Sequence, residues 1–153
     1  MKETFAEKHT VGTPVKTYRL PVKRFCQTLD LRDNPELIAA YRQLHSREGI
    51  WPEILQGIRE VGILEMEIYL LGTRLFMIVE MPQELEWDEV MSRLATLPKQ
   101  AEWEALTAQY QQAEATATSD ANWKMMERIF HLYEHEADYS EYISEDISED
   151  ICH

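Results

Sequence analysis

The sequence predicts an α+β domain in which helices cover one face of a four-stranded antiparallel sheet. Three observations carry that expectation. Residues 63–71 and 74–81 are apolar-alternating runs separated by Gly72-Thr73, the pattern of a β-hairpin. Stretches with apolar residues at helical spacing lie on both sides of the hairpin, and a period-two stretch lies at either end. The resulting order of strand, helix, strand, strand, helix, strand is that of a split βαβ, ferredoxin-like βαββαβ domain.

In chain order, residues 1–22 contain Gly12, Pro14 and Pro21 without a sustained period and read as an arm before a domain spanning residues 23–132. Phe25, Gln27, Leu29 and Leu31 alternate with Cys26, Thr28 and Asp30 as a first strand. Asn34-Pro35-Glu36 is a helix start, with the amide as N-cap, proline at the first position and an acid in the first turn. Leu37, Ile38, Tyr41, Leu44 and His45 form its core-facing stripe. After an irregular segment at 46–50, a second helix is expected over 52–61, with Ile54, Leu55, Ile58 and Val61 as its apolar face and Gly62 left-handed beyond its end. The two make one broken helical layer.

Beyond the hairpin, Trp87, Val90, Met91, Leu94 and Leu97 mark another amphipathic helix. Pro98 interrupts it, and Trp103, Leu106 and Tyr110 continue the stripe. Residues 111–121 are rich in Ala, Thr and Ser and are expected to form a loop. Residues 123–132 are expected to form the last strand, with Met126, Arg128, Phe130 and Leu132 on one side. Residues 75–79 are apolar on both faces, which predicts a second copy packed sheet to sheet as a twofold homodimer.

Composition narrows the function classes. At 153 residues the chain is long enough for one core without disulfides, and Cys26 and Cys152 lie too far apart in sequence to suggest a paired motif. A formal net charge of −13 argues against nucleic acid as partner, since phosphate neutralisation needs clustered Lys and Arg. Eight of the 28 acids fall in residues 133–153, which hold no Lys or Arg and repeat Ile-Ser-Glu-Asp; a solvated acidic tail is expected there. No apolar run reaches membrane-spanning length and the first twenty residues lack a secretory core, so a cytoplasmic protein without a membrane partner is expected.

No phosphate loop, dinucleotide-binding glycine pattern or paired-Cys motif occurs, and the histidines His9, His45, His131, His135 and His153 lack metal-ligand spacing within the domain. Neither a metal nor another cofactor is expected. His45 is the group that titrates near neutral pH in aromatic company. Tyr41 stands one helical turn before it, Trp51 follows just beyond the helix, and Trp103 lies in the other helical layer. Alone, a histidine on an apolar helical edge is more often a packing residue; these rings make a pocket the better reading. Glu53, Glu65, Glu67, Glu102 and Glu127 are candidates for a second acid–base group, although most charged residues are simply solvated; Glu102 stands out because it adjoins Trp103, whereas Glu65 and Glu67 are expected at a rim or interface, and the group itself stays open. For Trp87 and Trp123 core packing is at least as good a reading as a place in the pocket.

Six blocks in order carry a resemblance to a known family: Tyr41-x-x-x-His45, Trp51-Pro52-Glu53-Ile54, Met66-Glu67-Ile68-Tyr69, Arg74-Leu75-Phe76-Met77, Trp103 in Glu-Trp-Glu-Ala-Leu, and Met126-Glu127-Arg128-Ile129-Phe130. Together they resemble the L-rhamnose mutarotase family, and more closely its L-fucose mutarotase-like branch. The resemblance implies a dimeric ferredoxin-like α/β-barrel and a cofactor-free isomerase that interconverts the α and β anomers of a deoxyhexose, L-fucose or L-rhamnose. It implies His45 as proton donor and Tyr41 as sugar contact. The rhamnose enzymes carry a second sugar-contacting tyrosine where this chain has Met66, and a tryptophan pair where it has Glu102 and Trp103. With Trp51, these are the expected substrate-binding residues. The segment between His45 and Trp51 is longer here than in the rhamnose enzymes. Two other readings share the scaffold: a cofactor-free monooxygenase or haem-handling relative, and a non-catalytic small-molecule-binding or regulatory protein whose acidic tail meets a basic partner.

Overall fold

The computed structural model describes residues 10–112 and 122–135, and all structural statements concern these residues. The sheet has the order β2-β3-β1-β4 and is antiparallel throughout. Its strands are β1 (Val22–Asp30), β2 (Glu65–Leu71), β3 (Arg74–Pro82) and β4 (Lys124–Met125). Four helices accompany them: α1 (Pro35–Leu44) and α2 (Pro52–Glu60) between β1 and β2, and α3 (Trp87–Leu94) and α4 (Gln100–Ala108) between β3 and β4. This is the expected ferredoxin-like α+β arrangement.

Local chemistry sets the helix boundaries where the sequence placed them. The N–H groups of Glu36 and Leu37 donate to the Asn34 side-chain oxygen at 2.9 and 3.2 Å, satisfying two of the donors that every helix start leaves open. At the end of α2, Gly62 has φ +97°, the Gly62 N–H donates to the Arg59 carbonyl and the Ile63 N–H to the Ile58 carbonyl. That pair of bonds is a Schellman closure, and it turns the chain directly into the run that becomes β2.

The core lies between sheet and helices. Leu75, Met77, Val79 and Met81 alternate along β3 toward Leu29 of β1, Tyr41 of α1 and Val90 and Leu94 of α3. The other phase of the sheet behaves differently. Phe76 and Ile78 of β3 lie beside Thr28 and Cys26 of β1 and beside Tyr69 and Glu67 of β2, half-buried or exposed. On this face Arg24 pairs with Glu80 at 3.0 Å and Arg74 with Asp30 at 2.9 Å. Leu71 and Tyr69 are exposed.

Two further points concern the ends of the domain. The Tyr18 hydroxyl donates to the Leu64 carbonyl at 3.0 Å and the Gln83 N–H to the Pro21 carbonyl at 3.0 Å, so this part of the arm is fastened near the ends of β2 and β3. The expected last strand over 123–132 is corrected: only Lys124 and Met125 pair with Thr28 and Gln27, the Met126 N–H adds one bond to the Cys26 carbonyl, and a 3-10 turn follows at Leu132–His135. Alternation marks a strand half-buried against a surface, and no described element supplies one here; Ile129 is 90% exposed. The expectations for residues 1–9, for most of the 111–121 loop and for the acidic tail from residue 136 lie outside the described residues.

Candidate functional site

A cavity of about 710 Å³ opens between the helical layer and the sheet. The end of α1 supplies its chemical wall. Tyr41 and His45 lie one turn apart, their rings 4.3 Å from centroid to centroid, with His45 at the helix C-cap. The His45 Nδ1 lies 2.8 Å from the Tyr41 carbonyl. A carbonyl can only accept, so this nitrogen carries the proton and the imidazole is held in the tautomer whose Nε2 is a free acceptor. Burial lowers the His45 pKa below its ordinary 6.5, and the hydrogen bond to the Tyr41 carbonyl pulls in the opposite direction. The ring is therefore neutral around pH 7. Tyr41 is buried, which pushes its pKa up to about 12, with the Gln111 side chain beside it opposing that rise. Its phenol stays protonated.

The other aromatic groups steady this pair. Trp103 of α4 meets the His45 ring edge-on at 5.3 Å, and Trp51 meets Trp103 edge-on at 5.1 Å. Tyr110 lies edge-on to Tyr41 at 6.2 Å. The segment between His45 and Trp51 folds back on α1: the Ser46 hydroxyl donates to the Gln43 carbonyl at 2.7 Å and accepts from the Gly49 N–H at 3.1 Å, and the Ile50 N–H donates to the Ser46 carbonyl. A Cβ on Gly49 would stand 2.0 Å from the Gln43 carbonyl oxygen, so only glycine allows this turn to lie against the helix end.

The structure brings most of the sequence-predicted residues together. His45, Tyr41, Met66 and Trp103 line the cavity. Trp51 does not; it is half-buried behind Trp103 and acts as a buttress. Glu102 is exposed and points away, and the carboxylate of α4 that does line the cavity is Glu104, bonded by the Gln100 side chain at 3.3 Å. One residue along a helix is a rotation of about 100°, so adjacency to Trp103 in sequence set Glu102 on another face. Glu65 reaches the cavity edge with its carboxylate accepting from the Met66 N–H, while Glu67 accepts from the Tyr69 hydroxyl. Trp87 packs against the Phe25 ring and, like Trp123, also lines the cavity.

Sequence reasoning missed Gln27, Thr107 and Gln111, all buried polar residues facing the same space. For Gln27 a signal existed: it occupies the apolar phase of β1, between Phe25 and Leu29. Lys16 of the arm reaches the mouth of the cavity with Arg47 and Arg59. Among the described residues no cluster of His, Cys, Asp or Glu is arranged to hold a metal ion, and no helix is long and apolar enough to cross a membrane.

Comparison with known proteins adds an independent line. A family model described as L-rhamnose mutarotase matches residues 24–132. An L-fucose mutarotase of Xanthomonas campestris is 33% identical over 115 residues, covering 75% of this chain and 92% of the relative. A UPF0734 protein of Dictyostelium discoideum is 35% identical over 91 residues, covering 59% of this chain and 71% of that protein. Among solved structures, an L-rhamnose mutarotase from Formosa agariphila matches with a TM-score of 0.54 at 18% sequence identity, covering 72% of this chain and 98% of that one, a likeness of fold.

The Gly49 turn yields a test of the local geometry. Gly49→Ala must move either the turn or the end of α1, at a cost of about 1–3 kcal/mol typical of overpacking. A lowered denaturant midpoint, together with a shifted His45 ring resonance in NMR, is the expected outcome; an unchanged midpoint would mean that the turn does not press on the helix.

Proposed function

This chain belongs to the L-rhamnose mutarotase family, and from that premise we propose that it interconverts the α and β anomers of a deoxyhexose, L-fucose or L-rhamnose, with His45 as the proton carrier. The observation that carries the reading is the His45 tautomer: a neutral imidazole, proton fixed on Nδ1 by the Tyr41 carbonyl, at the wall of a cavity roomy enough to admit a monosaccharide.

Mutarotation moves protons and no electrons. The anomeric hydroxyl loses its proton, the bond from C1 to the ring oxygen breaks, and the ring oxygen gains a proton to give the open aldehyde. Rotation about C1–C2 presents the other carbonyl face, and the steps run backward to close the ring. In its resting state His45 is an acceptor, so it takes the anomeric proton as a general base; the imidazolium then passes that proton to the ring oxygen through a water held by Glu104, and closure on the other carbonyl face runs the same transfers backward. The Tyr41 phenol, kept protonated, donates a hydrogen bond toward the ring oxygen. Trp103, Met66 and the Ile54 and Ile58 side chains give the apolar wall against which the C–H face and the methyl group of a 6-deoxyhexose pack. Met66 there is a passive wall, Trp51 supports Trp103, and Glu102 has no contact with substrate.

We take residues 23–132 as the catalytic unit, with residues 1–22 and 133–153 as additions to it, in a cytoplasmic protein. The sheet face bearing Phe76, Ile78, Tyr69 and Leu71 supports a homodimer packed sheet to sheet, in which the exposed Ile129 and Phe130 also find cover.

Three outcomes follow. His45→Asn should lower kcat/KM for anomer exchange, measured by saturation-transfer NMR, by about 100- to 10,000-fold with an unchanged circular dichroism spectrum; wild-type exchange in that variant would remove His45 from the mechanism. Because burial holds the pKa of His45 below 6.5 and the neutral form is the active base, kcat/KM should stay level as pH falls through neutrality and decline only below 6.5. An acid limb centred above 6.5 would contradict the assignment. Sedimentation at micromolar concentration should give twice the 18.0 kDa chain mass, and Ile78→Lys should reduce it to one chain; a monomeric wild type would refute the dimer.

A further inference from the structure

The Gln27 side chain is 2% exposed and lines the cavity from the middle of β1, where its strand neighbours are Met77 of β3 and Met125 of β4. Among the described residues nothing hydrogen-bonds to its carboxamide, which opens onto the cavity and is not sealed off from it. Its place in the strand is one that apolar residues fill on either side, Phe25 before it and Leu29 after it. Burying an amide without a partner is unfavourable, and an apolar side chain of the same size would remove that cost. The amide is thus a poor choice for the stability of an empty protein and a good one for a protein whose cavity fills with a polyol.

We propose that Gln27 is the group on the sheet side of the cavity that reads the ring hydroxyls of the sugar, and that it determines which sugar is accepted. The proposal rests on the mutarotase reading and extends it from the anomeric carbon to the rest of the ring. A carboxamide presents one acceptor and one donor side by side, and two adjacent hydroxyls present the complementary pair. With the amide held in place by the strand, both bonds form only with a hydroxyl pair that points at it, and an epimer that turns one of them to the other ring face loses a bond. His45 and Tyr41 at the end of α1 act on the anomeric centre common to every aldose, so they do not by themselves discriminate between epimers. Gln27 belongs to a different element, the central strand, and contacts a different part of the substrate. Met77 and Trp123, which line the cavity with it, offer an apolar surround that leaves a mismatched hydroxyl without a bonding partner.

The test is Gln27→Leu in the full chain, compared with wild type on L-fucose, L-rhamnose, D-galactose and D-glucose. Binding is read by saturation-transfer difference NMR and turnover by exchange between the anomeric proton signals. The expected result is a KM, and a dissociation constant, raised about tenfold or more for the preferred sugar, with the spread among the four sugars narrowed. The melting temperature should be unchanged or higher, since the substitution removes an unpartnered buried amide. A lower melting temperature would show that Gln27 serves the fold and would overturn the proposal. So would unchanged affinity and an unchanged order of preference in a well-folded variant. Wild-type protein that binds a sugar without exchanging its anomers would refute the mutarotase reading while leaving Gln27 to be judged on binding alone; wild-type protein that binds none of the four would overturn both.

Discussion

The hydrogen bond from His45 Nδ1 to the Tyr41 carbonyl is the constraint on which the site depends. The carbonyls of a last helical turn have no partners within the helix, and a histidine at the C-cap is placed to donate to one. That bond answers the helix's own need and at the same time decides the chemistry of the ring, because it assigns the proton to one nitrogen and leaves the other free. A helix C-terminus ordinarily favours a protonated imidazole. Here burial opposes it and prevails, so the cap remains neutral and available as a base.

Everything around the bond serves to keep the ring from turning. Trp103 presses on its edge from α4, Trp51 backs Trp103 from the start of α2, and the tight turn at Gly49 seals the end of α1. These contacts come from three helices and one turn, so the site is assembled only when the helical layer has packed on β1 and β3. An enzyme that moves protons over distances of a hydrogen bond needs this restraint, since a small displacement of the donor costs much of the rate.

The fold was legible because its signals are local. The Asn34-Pro35 cap, the Gly62 closure and the hairpin at Gly72-Thr73 each specify backbone geometry within a few residues, and all three appear as read. The resemblance built on six blocks is borne out by the family match. At the site, Tyr41, His45 and Trp103 were legible because helical spacing and aromatic type mark them. Glu102 faces outward and Glu104 faces the cavity, because adjacency to Trp103 in sequence is not adjacency on a helix. Gln27 stood in the apolar phase of β1 and could have been singled out as a polar residue among core positions, whereas Gln111 was missed because what it faces follows only from the packing of the segment after α4. The last strand failed through its context: Met126 to Leu132 have the alternation of a strand, but pairing also needs a surface to cover.

The brevity of β4 has a further consequence. From Val22 to Phe25, the flank of β1 that faces away from β3 has no paired neighbour among the described residues, which leaves hydrogen-bonding groups able to template the strand of another molecule. Uncontrolled addition of this kind leads to aggregation. The net charge of −13 opposes it, because every copy repels every other before their edges meet. Such protection acts at long range and is weakened by dissolved ions, so the colloidal behaviour of this protein is tied to ionic strength: added salt shields the charges and removes the barrier between exposed edges.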